Sequence, residues 1–289
     1  MAGRNAVGID VGGSSIKAVS LTPAGTVVEQ RQVELPATES GILAAIAALA
    51  DGLGAGPSLG VCVAGVVDEE AGVALAASNL PWSSSPLRGL ISDATGRTVV
   101  LGHDVRCGAR AELRWGTGSS SMLYIAIGTG VSSVSLVDGQ MLPGLYAGEI
   151  GQVLVAAPGQ PLERVALERL ASASAIVRRF EERAPGTLAA GAGAREVIAL
   201  MGAIPAADAV VGEAVTALAA AVAVAVAVTA PSVVVIAGGV AAAGAAIVDP
   251  LANELRVALG LVPAPSVVAS PLGQFGQAMG AASLVIPLQ

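Results

Sequence analysis

Val7-Gly8-Ile9-Asp10-Val11-Gly12-Gly13-Ser14-Ser15-Ile16-Lys17-Ala18-Val19 is the stretch whose reading decides the fold. An apolar run ends on a carboxylate, a Gly-Gly-Ser-Ser turn follows, and a β-rich run resumes at Ile16, which reads as a tight hairpin. A Walker loop would instead lead into a helix. Gly12 and Gly13 let backbone N–H groups approach an anion with no Cβ in the way, and the Ser14 and Ser15 hydroxyls add donors. Asp10, at the strand end, is placed to fix a hydrated Mg²⁺. Taken alone, this turn fits an ordinary hairpin equally well.

Outward from that turn, segments 7–10, 18–21 and 27–35 read as an antiparallel meander, followed by a helix at 42–52. A buried strand over 59–67, a helix over 86–95, a strand at 99–101 and a helix over 105–115 complete a first lobe. Strands at 122–127 and 131–137, joined by Gly128-Thr129-Gly130, repeat the opening hairpin and suggest a duplicated fold. After Glu149 the pattern turns helical, around 162–180, 192–201 and 206–229. A strand at 233–237 meets Gly238-Gly239, a helix over 247–259 takes Pro250 in its first turn, and a late strand covers 267–268. The expected division is a lobe at 1–115 and a larger one at 116–272, with a closing helix within 273–289 packing back on the first lobe.

Composition narrows the class. At 289 residues the chain exceeds what one core comfortably serves. With 54% apolar but only 2% aromatic residues, the cores must be built from small side chains. A net charge of −7 argues against a nucleic-acid surface. Lys17 is the only lysine; a coding bias toward arginine explains this as well as a role in the turn does. Cys62 and Cys107 lie in apolar stretches without metal or redox spacing, which predicts reduced, packed thiols and suits the cytoplasm. No export signal is legible at the start. The apolar run 216–242 is long enough to span a membrane, but Pro231 followed by Val233-Val234-Val235-Ile236 reads as helix, turn and buried strand, so no membrane is expected.

Three Gly turns, at 12–13, 128–130 and 238–239, recur in an order and spacing that resemble the ROK family of sugar kinases and repressors, within the actin-like ATPase superfamily. The resemblance runs through nearly the whole chain. It implies an α/β, two-lobed, actin-like ATPase (ribonuclease H-like) fold, with a mixed five-stranded sheet in each lobe and the active site in the inter-lobe cleft. It also implies that Asp10, Gly12, Gly13, Ser14, Ser15 and Lys17 form a first phosphate motif, that Gly128, Thr129 and Gly130 form a second, and that 234–239, with Gly238 and Gly239, is the adenosine motif.

Asn79-Leu80-Pro81-Trp82 resembles the family's sugar loop, although Trp82 fits ordinary packing as well, and Gly65 stands where members place a small residue near the sugar. His103-Asp104-Val105-Arg106 resembles the catalytic segment, with Asp104 as the base and His103, usually Asn, touching the sugar. A lone histidine is otherwise most often structural. Gly148-Glu149-Ile150-Gly151-Gln152 resembles the segment whose Glu holds sugar hydroxyls and whose last residue is His; here it is Gln152. Glu168 matches a further sugar-binding Glu. Gly159, Pro161 and Ala166 stand where the family's zinc-loop cysteines are expected, so no zinc is expected.

The implied activity is ATP- and Mg²⁺-dependent phosphorylation of a hexose 6-hydroxyl, on glucose or an amino-hexose such as kanosamine or glucosamine, by a homodimer. A polyphosphate-dependent glucokinase and a catalytically inactive sugar sensor are the alternatives. A repressor is disfavoured because the chain starts at the first strand.

Overall fold

A computed structural model describes residues 5–77 and 80–287. Its contacts divide the chain into two compact units. The first comprises Met1–Gly118, Gly144–Tyr146 and Gln274–Gln289; the second comprises Ser119–Pro143 and Ala147–Gly273.

The first unit runs β1 (Ala6–Val11), β2 (Ser15–Leu21), β3 (Val27–Glu34), α1 (Glu39–Gly52), β4 (Ser58–Val63), β5 (Val66–Asp68), β6 (Val73–Ala76), β7 (Ser83–Ser85), α2 (Leu87–Thr95), β8 (Thr98–His103) and α3 (Asp104–Trp115). The second runs β9 (Met122–Ile127), β10 (Val131–Val137), β11 (Gln140–Met141), a 3₁₀ turn (Ile150–Gln152), β12 (Leu154–Ala157), β13 (Gln160–Ala166), α4 (Glu168–Ala171), α5 (Ala173–Arg183), α6 (Ala194–Ala199), α7 (Pro205–Thr229), β14 (Val233–Ala237), α8 (Ala245–Leu259) and β15 (Ser266–Ala269). Helix α9 (Gly276–Ser283) groups with the first unit.

The two main sheets share one topology, β3-β2-β1-β4-β8 in the first unit and β11-β10-β9-β14-β15 in the second. In each, an antiparallel three-strand meander is extended by two parallel strands. Local signals explain the elements. The Thr38 hydroxyl caps α1 by accepting from the Gly41 N–H at 3.1 Å, and Ile42, Ile46 and Leu49 bury one helical face at spacings of four and three. Helix α7 starts with Pro205 at its first turn, where the missing N–H costs nothing. Its late valines alternate as a strand's would, yet in the helix Val222 and Val226 are buried while Val224 and Val228 are exposed. It is long and apolar enough to cross a membrane, and 61% of its most apolar window is buried. Its buried residues belong to the second unit's core.

The structure corrects four expectations. The strand expected over 59–67 is broken at Gly65, whose φ of +109° ends β4 and starts the small β5–β6–β7 sheet. The helical segment expected from 162 is strand through Ala166, because β13 pairs with β12 in a hairpin. Pro250 is not in a first turn: α8 begins at Ala245 and carries Pro250 inside it. The closing helix expected over 273–284 opens instead with a 3₁₀ turn, Gly273–Phe275.

Helix α9 lies against the first sheet and α3 closer than side chains would allow. A Cβ on Gly8 would come 2.0 Å from the Ala278 carbonyl oxygen, and one on Gly60 would come 1.9 Å from that of Ala281. On the helix side, a Cβ on Gly280 would come 1.7 Å from the Cys107 carbonyl oxygen. These are backbone-to-backbone approaches, so the neighbours cannot yield by changing rotamer. Gly280→Ala is therefore expected to destabilise the protein by about 2 kcal/mol or more, read as a lower urea midpoint. Gly89→Ala, in α2 with nothing within 4 Å of the added Cβ, is expected to be neutral or mildly stabilising.

Candidate active site

In open α/β sheets, ligands bind at the carboxyl ends of the parallel strands. In the first unit that edge carries Asp10, His103 and Asp104. Asp10 pairs in register with Cys62 of the parallel strand β4, and Cys62 with Gly102 of β8. His103 ends β8 and Asp104 begins α3, where the helix N-terminus favours negative charge.

Asp10 is 7% exposed. Burial first, then the nearby Asp104 carboxylate, push its pKa from 3.8 up to about 7, partly opposed by Lys17 and by the Cys62 thiol. Lys17 faces Asp10 across the β1–β2 pair. The Cys62 Sγ lies 3.7 Å from Asp10 Oδ1 and 3.6 Å from the Gln277 carbonyl oxygen, a weak donor between two acceptors. Burial raises the Asp104 carboxyl as well, opposed by His103 and by the Val105 N–H, which donates to Asp104 Oδ1 at 2.8 Å. His103 Nε2 is 3.5 Å from that same oxygen. The other ring nitrogen, Nδ1, is buried and has no hydrogen-bond partner among the described residues.

The hairpin turn beside Asp10 closes through the Gly12 N–H donating to the Ser15 carbonyl at 3.0 Å, and the Leu35 N–H ties Ser14 to the end of β3 at 3.1 Å. Gly13 lies in the same turn. A Cβ on Gly65 would come 2.3 Å from the Ala76 carbonyl oxygen, so glycine is fixed there by packing. Trp82 and Leu80 belong to the first unit's core, which is the packing alternative. Asn79 lies outside the described residues.

The second unit collects the remaining residues. All three carbonyls of the Gly128–Thr129–Gly130 turn are taken: by the Ala173 N–H at 2.8 Å, the Ser174 hydroxyl at 2.9 Å and the Gly128 N–H at 3.0 Å. Turning its acceptors into the fold's own bonding suits this turn to an anion. Gly238, after β14, has φ +82°, and a Cβ there would come 2.5 Å from the Ile127 carbonyl oxygen; Gly239 is open. Gly148, which precedes Glu149, is held to β10 by its carbonyl, which accepts from the Ser133 N–H at 2.8 Å and from the hydroxyls of Ser133 and Ser132 at 3.2 and 3.3 Å. Gln152 Nε2 donates to Glu168 Oε1 at 2.9 Å. The segment from Gln152 to Ala171 contains neither cysteine nor histidine, so it offers no thiolate or imidazole set for zinc.

Sequence reasoning missed Glu69. Its Oε1 accepts from the His103 backbone N–H at 2.9 Å, and its Oε2 lies 3.5 Å from Arg106 Nη1. Arg106 in turn donates to the Gly144 carbonyl at 3.0 Å. Glu69 thus holds the turn that presents Asp104. Nothing in the local sequence signals a contact made across 34 positions.

The Asp10 environment has a pH signature. Unfolded, the group ionises near 3.8; folded, near 7. Between those values the native chain binds the extra proton, so stability is lost as pH rises through the window and levels off above it. The Tm advantage of Asp10→Asn over the unaltered chain is expected to widen from about pH 4 to about pH 7 and then stay constant. An advantage independent of pH would mean that Asp10 ionises as an exposed carboxyl does.

A model of the ROK family matches residues 6–287. A glucokinase of Halalkalibacterium halodurans is 31% identical over 198 residues, which are 62% of this chain and 59% of that protein, so the match spans about three fifths of the relative's length. Among solved structures, a ROK family glucokinase from Streptomyces griseus in complex with glucose and AMPPNP matches with a TM-score of 0.87 at 27% identity, covering 97% of this chain and 98% of that one. A ROK hexokinase from Thermus thermophilus matches at 0.76 and 28%, covering 96% of each chain. With its family model matched from the first strand to beyond α9, and with the same sheet topology in both units, the chain belongs to the ROK family and has its actin-like ATPase fold.

Proposed function

We propose that this chain is an ATP-dependent sugar kinase that transfers the γ-phosphoryl group to the 6-hydroxyl of a hexose. The observation that carries the reading is the pair of carboxyls, Asp10 and Asp104, at the carboxyl edge of one sheet, each with its pKa raised by burial. A carboxylate whose proton affinity is raised by burial is a better proton acceptor than an exposed one. Asp104 takes the hydroxyl proton as the sugar oxygen attacks phosphorus in line, while Glu69 and the head of α3 hold it in place. His103 bonds a sugar hydroxyl, and Gly65, Asn79, Glu149 and Glu168 complete the sugar set, with Gln152 hydrogen-bonded to Glu168 behind it.

The turn at Gly12–Ser15, with Lys17 beside it, and the turn at Gly128–Gly130 are each suited to phosphate oxygens, and Gly238-Gly239 to the nucleoside. Mg²⁺ fits Asp10, because a buried carboxyl repelled by its neighbour gains from a cation, and Mg²⁺ commonly takes one or two carboxylates with the rest of its shell from phosphate and water. Held there through water, it would neutralise charge on the phosphates. The likeness to a glucokinase structure holding glucose and AMPPNP supports glucose as the first acceptor to try and ATP as the donor.

The test is ADP release from Mg-ATP against glucose, mannose, glucosamine, kanosamine and N-acetylhexosamines, with polyphosphate as a parallel donor. Turnover on at least one sugar is expected, with kcat falling about 10²- to 10⁴-fold in Asp104→Asn and the KM for ATP changing little. No turnover on any sugar with either donor, or an Asp104→Asn variant as active as the unaltered chain, would overturn the reading.

A further inference from the structure

The hairpin of β12 and β13 does more than fill the second unit. Leu154 pairs with Ala166, and the Leu167 N–H donates to the Val153 carbonyl at 2.9 Å. The next position toward the base of the hairpin sets Gln152 against Glu168, and there the Gln152 amide donates to Glu168 Oε1 at 2.9 Å. The second oxygen, Oε2, is seated over two glycines: a Cβ on Gly130 would come within 3.1 Å of it, and one on Gly151 within 3.3 Å. Gly130 belongs to the turn whose carbonyls are all engaged, so this oxygen lies beside the turn proposed for phosphate. The strand that carries that turn also anchors Gln152, because Ser133 and Ser132 of β10 hold the Gly148 carbonyl four residues upstream.

We infer that Gln152 is a positioning residue for the acceptor sugar, acting through Glu168: its amide fixes one carboxylate oxygen so that the carboxylate is presented to sugar hydroxyls in a single orientation. The inference rests on the sugar-kinase reading. A primary amide suits the task because its N–H neither titrates near neutrality nor needs a metal. The backbone ladder of the hairpin supplies the order, and the amide transmits it to the carboxylate. A hydrogen bond to a charged group is strong enough for its loss to be read in binding.

Two variants test this role. Gln152→Met keeps the side chain's length and removes the donor. It is expected to raise the sugar KM about tenfold, with kcat and the ATP KM within about twofold, and to keep its circular dichroism spectrum. Gln152→His restores a donor that strengthens on protonation; it is expected to recover most of the lost sugar affinity at about pH 6 and less of it at pH 8. An unchanged sugar KM in Gln152→Met, an equal rise in both KM values, or a Gln152→His variant whose sugar affinity at pH 6 is no better than that of Gln152→Met would overturn the role while leaving the kinase reading in place. No turnover by the unaltered chain would instead remove the kinase reading, and this role with it.

Discussion

The first unit depends on one constraint, the near-contact of α9 with the backbones of β1, β4 and α3. Three glycines permit it, with Gly8 and Gly60 on the sheet and Gly280 on the helix. Because the contact is backbone against backbone, it fixes depth and register more tightly than a layer of interdigitating side chains would. The same face carries Asp10 and Cys62, and the Gln277 carbonyl near the start of α9 lies within 3.6 Å of the Cys62 sulfur. On the other side, α3 brings Cys107 against the helix and Asp104 to the sheet edge. Two carboxyls are thereby kept largely from water, and burial, the largest cause for each, raises both of their pKa values. The packing that closes the unit is thus the cause of its unusual electrostatics.

In the second unit the hairpin of β12 and β13 occupies the stretch where the family resemblance leads one to expect a zinc loop. Its order comes from strand pairing and from the Gln152–Glu168 hydrogen bond. Core packing there is supplied by α7, whose alanines and valines fill space at small cost in side-chain entropy. That is how a chain so poor in aromatics still builds a continuous core.

Much of the fold was legible because the strands are short apolar runs punctuated by glycine, and because the hairpin around Gly12-Gly13 recurs around Gly128-Thr129-Gly130. The duplicated topology follows from that recurrence. Other parts left no local trace. Glu163, Arg164 and Ala166 are good helix formers, and pairing with β12 makes their stretch a strand. Glu69 reaches His103 through the tertiary fold alone. Gly8, Gly60 and Gly280 are indistinguishable in sequence from the chain's other glycines, since what singles them out is the neighbour each one meets. Among the candidate site residues, types and order could be read from motifs; which oxygen faces which donor could not.

The central claim is that this edge of buried carboxyls serves phosphoryl transfer to a primary hydroxyl. Its most direct test is proton-coupled ³¹P NMR of a reaction of Mg-ATP with the sugar that turns over fastest, acquired without separating the products. The expected result is a new phosphomonoester signal split by the two hydrogens of one CH₂ group, growing as the γ-phosphate signal declines. A new ester coupled to a single ring hydrogen, or inorganic phosphate as the only new signal besides those of ADP, would contradict it.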